Sequence, residues 1–384
     1  MAEGATTEVH GDCDERFAAV RQALADNLAS GADLGASVAV YVDGEPVVDI
    51  WGGWTDESRT MPWERDTIVN VWSTTKTMTA LCALVLADAG ESDLHAPVST
   101  YWPQFAASGK DSVQVRHLMS HTSGVAGWDP PFTVDDMYDW ETSTARLAAQ
   151  APWWEPGTAS GYHANNQGHL LGEVLRRVDG RSLKRYVADE LAGPLGADFQ
   201  IGARPEDRDR IAPVVPPPPL PIDMSTLDPA SPVFRCFTGP VADASKANTD
   251  GWRAADMGAL NGHSNARGVL DVMRTMSLGG EAGGVRLLSE KTIDLVFDVQ
   301  ADGVDLVLGV PFRFGIGFGL SPSAAVPYLP EGRVAFWGGW GGSLIVMDLD
   351  RRLTTSYMMN RMAPGIVGSD RAETYLTAVY SALT

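Results

Sequence analysis

Strand-like segments occupy both ends of this 384-residue chain, and a long, mostly helical stretch separates them. Near the N-terminus, ASVAVYV (36–42) and PVVDIW (46–51) flank Asp43-Gly44, a dipeptide typical of a tight hairpin turn. From about residue 305 strand patterns return, and a terminal helix is predicted from about Gly368. Because the apolar face of a sheet must be buried, we predict one antiparallel sheet completed by both termini, with a helical lobe inserted between them.

The predicted fold class is therefore α/β (α+β), an antiparallel β-sheet flanked by helices. We assign residues 1–70 and 270–384 to the sheet domain and residues 71–269 to a mostly helical lobe that carries the active-site loops. Within this lobe, APVVPPPPLPID (212–223) cannot form a helix or a central strand, because proline lacks the backbone N–H. It is interpreted as a semi-rigid surface loop, with a lid over the site as the alternative. A site is expected in the cleft between the lobes.

Composition excludes several classes of function. The net charge of −20 argues against nucleic acid as a binding partner, because a protein that binds phosphates needs clustered Lys and Arg. No apolar run is long enough to span a membrane and no leader precedes the first helix, so a cytoplasmic location is expected. Cys13, Cys82 and Cys236 lack metal or redox spacing, and neither a disulfide nor a metal or other cofactor is predicted. The sequence leaves homo-oligomerisation open.

Ser73-Thr74-Thr75-Lys76 is the first motif that indicates chemistry, because a spacing of three along a helix places the hydroxyl and the amine on the same face. A serine hydroxyl needs a nearby base to become a nucleophile, and a buried lysine, whose pKa is lowered, can serve as that base. The pair opens an apolar helix, whose N-terminus favours a developing negative charge.

A second set of motifs lies further along the chain. The segment WWEPGTASGYH (153–163) leads into LLGEVL, and AGPLGADF (192–199) follows, while LMSHTSGV (118–125) precedes them. In order and spacing, the chain resembles the serine β-lactamase-like family of class C β-lactamases, DD-peptidases and family VIII carboxylesterases. The resemblance extends over nearly the whole chain and implies a β-lactamase/transpeptidase-like fold.

The same resemblance implies the roles of individual residues. Tyr162 matches the tyrosine that works with the lysine as general acid/base, so Ser73, Lys76 and Tyr162 are the expected catalytic residues. The backbone N–H groups of Ser73 and Trp340 are expected to form the oxyanion hole. Many relatives carry Tyr-x-Asn where this chain has Tyr-His-Ala, so an orienting amide is missing at Ala164. His163 either replaces it or is a structural histidine.

The third motif, FWGGWGGS (336–343), also departs from the β-lactamases. Where they carry a cationic or polar residue that binds a substrate carboxylate, this chain has Trp337, as in the family VIII esterases that it resembles most closely. The glycines allow close approach to a ligand. The tryptophans of the predicted cleft indicate an apolar pocket. The expected substrate-binding residues are Trp337, Gly338, Gly339, His163, Trp128 and Trp154.

We therefore predict a serine hydrolase that cleaves carboxylic esters through an acyl-enzyme on Ser73. The first alternative is an acyltransferase of the same fold, which passes the acyl group of a small-molecule substrate to an alcohol or amine. A β-lactamase or D-amino-acid peptidase is the second, and a non-catalytic binding protein is the third. The sequence leaves open the natural acyl group and whether Lys76 or Tyr162 is the general base.

Overall fold

The two ends of the chain meet in one antiparallel sheet. The structure is a computed structural model that describes residues 8–219, 223–240 and 243–384. In these ranges the strands are β1 (Val9–Cys13), β2 (Gly35–Val42), β3 (Glu45–Gly53), β4 (Val69–Asn70), β5 (Phe199–Ile201), β6 (Gly262–Ser264), β7 (Glu281–Ala282), β8 (Val285–Arg286), β9 (Ala301–Val304), β10 (Pro311–Phe314), β11 (Gly319–Leu320), β12 (Val334–Gly338), β13 (Leu344–Asp348) and β14 (Leu353–Met359). Nine of them form the main sheet, in the order β1-β3-β2-β14-β13-β12-β11-β10-β9.

The centre of this sheet joins the N-terminal and C-terminal parts of the chain. β14 pairs with β2 from Leu353 opposite Val42 to Met359 opposite Ala36. β2 turns into β3 at Asp43-Gly44, where both residues have positive φ angles, 52° and 85°. Two consecutive positive φ angles match the right-handed twist of a hairpin, which explains the choice of Asp-Gly. The predicted hairpin is therefore present.

Helices cover both faces of the main sheet. In the described ranges the α-helices are α1 (Ala18–Ser30), α2 (Thr75–Asp88), α3 (Val115–Met119), α4 (Val134–Tyr138), α5 (Trp140–Ala149), α6 (Gln167–Asp179), α7 (Leu183–Tyr186), α8 (Gly193–Leu195), α9 (Pro232–Phe237), α10 (Asp250–Ala254), α11 (Ala266–Ser277), α12 (Glu290–Val296) and α13 (Asp370–Ser381). α11 packs on β2, β13 and β14, while α1 packs on α13 and β3. Val38 and Val40 of β2 join the apolar core with α1 and α13, whereas Ala39 and Tyr41 join the core with α11. This alternation is that of a strand buried on both faces.

A buried aspartate ties the two ends of the chain together. Asp33, 1% exposed, accepts hydrogen bonds from the hydroxyl groups of Tyr357 at 2.5 Å and Tyr375 at 2.8 Å, and from Arg371 Nη1 at 2.7 Å. These partners belong to β14 and α13. Because a buried carboxylate requires a counter-charge and hydrogen-bond donors, the cluster fixes α13 against the segment that precedes β2.

A smaller, three-stranded sheet, β4-β6-β5, leads into the region of Ser73. Just after β4, the Val71 N–H donates to the carbonyl oxygen of Gly262 at 2.8 Å. The Gly262 N–H in turn donates to the hydroxyl oxygen of Thr75 at 2.8 Å. These bonds hold the start of α2 against β6, so the entry to α2 is defined by residues far away in the sequence.

The predicted fold class, an α/β fold with an antiparallel sheet flanked by helices, is confirmed. The division of the chain at residues 70 and 270 stays a prediction. In the proline-rich loop, residues 220–222 lie outside the described residues, and residues 212–219 contain neither a helix nor a strand. None of the described helices is long and apolar enough to cross a membrane.

Candidate active site

Ser73 lies in a strained turn between β4 and α2. The residue before it, Trp72, has a φ angle of 50°, which is rare for a bulky side chain and costs about 1 to 3 kcal/mol. The Trp72 carbonyl oxygen accepts a hydrogen bond from the Thr75 hydroxyl at 2.5 Å. The indole ring of Trp72 packs edge-on against the rings of Trp252 and Trp340, at centroid distances of 5.4 and 5.0 Å. These contacts hold the turn in place and set Ser73 immediately before the first residues of α2.

Lys76 is buried in the first turn of α2 and is only 2% exposed. Its Nζ lies 3.1 Å from Ser73 Oγ, 2.8 Å from the Ala164 carbonyl oxygen and 2.9 Å from the Ala259 carbonyl oxygen. Burial lowers the pKa of the Lys76 amine well below its usual value. A neutral amine has two N–H bonds for the two carbonyl oxygens and one lone pair, which then faces the Ser73 hydroxyl.

Tyr162 lies beside Ser73 and Lys76 and is 1% exposed. The centroid of its ring is 4.8 Å from Lys76 Nζ, and the ring packs against His121 and Trp337 at centroid distances of 5.1 and 5.3 Å. Burial raises the pKa of the Tyr162 phenol, and the neighbouring Ser73 side chain partly offsets this shift. Among the described residues the hydroxyl has no hydrogen-bond partner, so a neutral phenol is available to a ligand.

The backbone of Tyr162 is held by Asp305, which sequence reasoning missed. Asp305 is fully buried, and its Oδ1 accepts the N–H groups of Tyr162 at 3.0 Å, Val307 at 2.9 Å and Leu308 at 2.8 Å. The Leu306 N–H also donates to the Ser160 carbonyl oxygen at 2.9 Å. Asp305 follows β9 and is far from Tyr162 in the sequence, so no local pattern could have indicated the contact.

His121 lies directly behind Tyr162 and Trp337. Its ring stacks on Trp337 at 5.5 Å and meets Tyr162 edge-on at 5.1 Å. Nδ1 accepts the backbone N–H of His163 at 3.1 Å, and burial lowers the pKa of the ring well below its usual value. His121 therefore stays neutral and supports Tyr162 and Trp337 from behind.

The backbone N–H groups of Ser73 and Trp340 are the two that are expected to form an oxyanion hole. Among the described residues, neither the Ser73 N–H nor the Trp340 N–H has an intramolecular acceptor. Trp340 lies in the turn after β12, which passes very close to the turn of Ser73. A Cβ atom on Gly339 would lie 2.6 Å from the Val71 carbonyl oxygen and 3.0 Å from Trp72 Cβ. Glycine is therefore required at this contact.

Of the predicted substrate-binding residues, Trp337, Gly338 and Gly339 lie at the end of β12 and just after it, next to these turns. The other three make internal contacts. His163 donates from Nδ1 to the Gly161 carbonyl oxygen at 2.7 Å and accepts the Ser123 hydroxyl at Nε2 at 2.6 Å. Burial lowers its pKa to about 4. Both ring nitrogens of neutral His163 are thus already used within the protein.

Trp128 and Trp154 also have partners for their indole N–H groups. Trp128 donates to the Ser143 carbonyl oxygen at 3.0 Å, and its ring stacks on Phe132 at 4.6 Å. Trp154 donates to the Ala159 carbonyl oxygen at 3.0 Å and covers Gly161. The structure therefore brings together a cluster of five residues, Ser73, Lys76, Tyr162, Trp337 and Trp340. Trp128 and Trp154 make packing contacts within the protein instead. Substrate binding by Trp128, Trp154 and His163 stays a prediction.

Cys236, near the end of α9, is a thiol that lies close to this cluster. It is 4% exposed and lies near enough to Lys76 for a positive charge there to lower the pKa of the thiol. Burial is the larger effect and raises that pKa to about 12. Because the thiolate is the reactive form, this shift disfavours Cys236 as a nucleophile. Among the described residues no group of three or more His, Cys, Asp or Glu side chains could hold a metal ion.

The fold and this cluster define a class, the serine hydrolases of the esterase and β-lactamase type. The chain belongs to the family described as Beta-lactamase, whose family model matches residues 20–378. The predicted resemblance to serine β-lactamase-like proteins is thereby confirmed.

Several relatives are similar over nearly the whole chain. The Esterase/beta-lactamase LipL of Mycobacterium tuberculosis (strain ATCC 25618 / H37Rv) is 33% identical, over 95% of this chain and 86% of its own. A crystal structure of a family VIII carboxylesterase is 39% identical, with a TM-score of 0.91 over 98% of this chain and 100% of its own. A penicillin-binding protein homologue from Caulobacter crescentus is 34% identical, with a TM-score of 0.90 over 98% and 100%.

Proposed function

We propose that the protein is a carboxylesterase that forms an acyl-enzyme on Ser73. The observation that carries the proposal is the position of Lys76 Nζ, 3.1 Å from Ser73 Oγ, with two carbonyl oxygens occupying its other bonds. This arrangement directs the lone pair of a neutral amine at the serine hydroxyl. Lys76 is therefore the general base in acylation, and burial keeps it neutral.

In the proposed acylation, Ser73 Oγ attacks the ester carbonyl carbon while Lys76 takes the hydroxyl proton. The carbonyl oxygen becomes an oxyanion that accepts hydrogen bonds from the N–H groups of Ser73 and Trp340. The bond between this carbon and the alkoxy oxygen then breaks. Tyr162 gives its proton to the leaving alkoxide and regains one from the Lys76 ammonium, so the alcohol leaves and both residues return to their starting states.

Deacylation repeats these steps with water in place of serine. Water adds to the acyl carbon as its proton passes to the base, and the bond to Ser73 Oγ breaks when the serine regains its proton. The products are a carboxylic acid and free enzyme. Because Tyr162 is neutral and lacks a partner among the described residues, it can donate a proton in either half of the cycle.

A neutral ester is the substrate class that the side chains favour. At the end of β12, the position where a substrate carboxylate would need a cation is occupied by the uncharged Trp337. Its ring is buried against His121 and Tyr162, and its indole N–H has no partner among the described residues. The family VIII carboxylesterase that is 39% identical supports the same class.

The test is a pre-steady-state burst assay with short-chain p-nitrophenyl esters, followed by intact-mass measurement. The wild type should release one equivalent of nitrophenol in the burst and gain the mass of the acyl group, and Ser73→Ala should show neither. Ser356→Ala is the matched control, since Ser356 is a buried serine of β14 whose hydroxyl has no partner among the described residues. A burst that survives in Ser73→Ala would rule out this nucleophile.

A second candidate is β-lactam hydrolysis, because the relative LipL is described as an esterase/beta-lactamase and covers 95% of this chain. The same acyl-enzyme chemistry opens a lactam ring. Turnover of a chromogenic cephalosporin at a rate comparable with that of p-nitrophenyl butyrate would favour this candidate over the esterase.

The cytoplasmic location is also part of the proposal. Cys13, Cys82 and Cys236 are all free thiols, as is usual in a reducing compartment. A homo-oligomer stays a prediction: a penicillin-binding protein homologue from Pyrococcus abyssi is described as octameric, and at 18% identity it supports the fold alone.

A further inference from the structure

The proposed oxyanion hole depends on two backbone segments that are far apart in the sequence. The Ser73 N–H belongs to the turn before α2, and the Trp340 N–H belongs to the turn between β12 and β13. Two donors stabilise one oxyanion only when both lie within hydrogen-bond distance of the same oxygen atom. Something in the protein must therefore set the distance between the two turns.

Ser343 contacts both turns. Its backbone carbonyl oxygen accepts the Gly339 N–H at 2.9 Å, which closes the turn that contains Trp340. Its side-chain Oγ lies 3.1 Å from the Val71 carbonyl oxygen and 3.0 Å from Thr74 Oγ1. Val71 and Thr74 lie on either side of Ser73, so one hydroxyl group holds the nucleophile turn at two points.

The direction of these hydrogen bonds follows from their chemistry. The Val71 carbonyl oxygen can only accept, so the single hydroxyl proton of Ser343 is donated to it. The hydroxyl of Thr74 must then donate to Ser343 Oγ. Ser343 is 2% exposed and Thr74 is fully buried, so water does not compete for these bonds. The result is a continuous chain from Thr74 through Ser343 to Val71.

We propose that Thr74 and Ser343 form a hydroxyl bridge that sets the spacing of the two oxyanion-hole N–H groups. They are positioning residues, because they act through the backbone of Ser73 and Trp340. The inference rests on the proposed function and adds to it the device that aligns the site. Since the oxyanion exists only in the transition state, loss of the bridge lowers kcat and leaves KM nearly unchanged.

The test compares Thr74→Val with Thr74→Ser. Valine keeps the shape of threonine and lacks the hydroxyl, so kcat for p-nitrophenyl butyrate should fall by about 10- to 100-fold, as expected when a catalytic group is displaced by a fraction of an ångström to about 1 Å. Serine keeps the hydroxyl, and kcat should recover to within about threefold of wild type if the bridge re-forms. The affinity for an alkylboronic acid, which forms a tetrahedral adduct with serine, should fall in parallel with kcat.

A second set of variants distinguishes loss of the hydroxyl bridge from a folding defect. Ser343→Ala removes both bonds of the bridge, so adding Thr74→Val to it should cause no further loss of kcat. Thr354→Val is the matched control, because the buried hydroxyl of Thr354 pairs with Ser277 at 2.6 Å between β14 and α11, away from the two turns. This control should alter the unfolding midpoint without reducing kcat.

The outcomes separate this inference from the proposed function. Unchanged kcat in Thr74→Val, or multiplicative losses in the double variant, would overturn the bridge. Either result would leave the esterase proposal intact as long as intact mass still reports an acyl adduct that depends on Ser73. Absence of that adduct in the wild type would remove the proposed function itself.

Discussion

Several polar atoms around Ser73 are buried without a partner among the described residues. They include the hydroxyl of Tyr162 and the indole nitrogens of Trp337 and Trp340. A buried polar group without a hydrogen bond costs about 1 to 3 kcal/mol. The fold therefore carries a local stability cost where its catalytic chemistry is proposed, as is common in active sites.

Tyr162→Phe separates stability from activity. The phenol has no hydrogen bond to lose among the described residues, so the free energy of unfolding should stay equal or rise by up to about 1 kcal/mol. If Tyr162 transfers protons, kcat should fall by about 10² to 10⁴-fold. Urea unfolding and ester hydrolysis measure the two effects. Tyr357→Phe is the control, because its hydroxyl is bonded to Asp33 and its loss should lower stability. A clear loss of stability in Tyr162→Phe would contradict this interpretation.

Residues could be predicted from the sequence where the signal is local. Ser73 and Lys76 are three positions apart at the start of α2, so their contact follows from helix geometry. Tyr162 was predicted only through the resemblance to the serine β-lactamase-like family. Asp305 could not be predicted, because its contact with Tyr162 joins residues 143 positions apart. The Thr74 and Ser343 pair spans 269 positions and escapes detection for the same reason.

At the scale of elements, the turn after β9 acts as a clamp on the segment of Tyr162. One buried carboxylate accepts three N–H groups, one from that segment and two from its own turn. The segment itself has little secondary structure, so these bonds replace the ladder that a strand would supply.

Asp305→Ala should damage both stability and rate. It leaves three buried N–H groups without an acceptor, so the free energy of unfolding should fall by about 3 kcal/mol or more. The displaced Tyr162 should lower kcat by about 10-fold or more. Asp305→Asn keeps the accepting oxygen and should retain kcat within about threefold.

The matched control for Asp305 is Asp348→Ala. Asp348 is a fully buried aspartate of β13 that accepts from Arg351 and Tyr380 instead. This variant should lose stability and keep its kcat in the folded fraction. Equal kcat in Asp305→Ala and Asp348→Ala would show that the clamp does not position Tyr162.

Elements differ in how well the sequence specifies them. The Asp43-Gly44 hairpin is encoded in a few adjacent residues and was predicted correctly. β4, β5 and β6 have only two or three residues each and leave no periodic pattern, and their pairing is decided by tertiary contacts. The helix α9, with six residues, is also too short to leave a periodic pattern in the sequence. It lies between two segments that are outside the described residues.

For the whole molecule, the chain buries uncharged histidines. Burial lowers the pKa of His163, His169 and His263 to about 4 each. As the pH falls below about 6.5, the usual pKa of histidine, these side chains bind protons in the unfolded chain but stay neutral in the folded protein. The free energy of unfolding therefore decreases as the pH decreases. Burial raises the pKa of Asp256 and Asp271, which act in the opposite direction.

Acidification from pH 6.5 to pH 4 should therefore lower the free energy of unfolding, by up to about 1.4 kcal/mol per pH unit for each buried histidine. Urea unfolding at several pH values measures the slope. His169→Gln should reduce the slope by about one proton. A stability that is constant between pH 6.5 and pH 5 would contradict this account.

The pairing of β2 with β14 has a consequence for biosynthesis. The two strands are about 310 residues apart, so at about 5 to 20 residues per second β14 leaves the ribosome about 15 to 60 s after β2. Throughout that time the nascent chain exposes an unpaired strand edge, which can pair with other chains. Trp340 and Ser343 are also synthesised late, so the second N–H group of the proposed oxyanion hole is absent for most of the time after Ser73 has been synthesised. The growing polypeptide is thus expected to stay inert until translation is nearly finished, and slower expression at low temperature should reduce its aggregation.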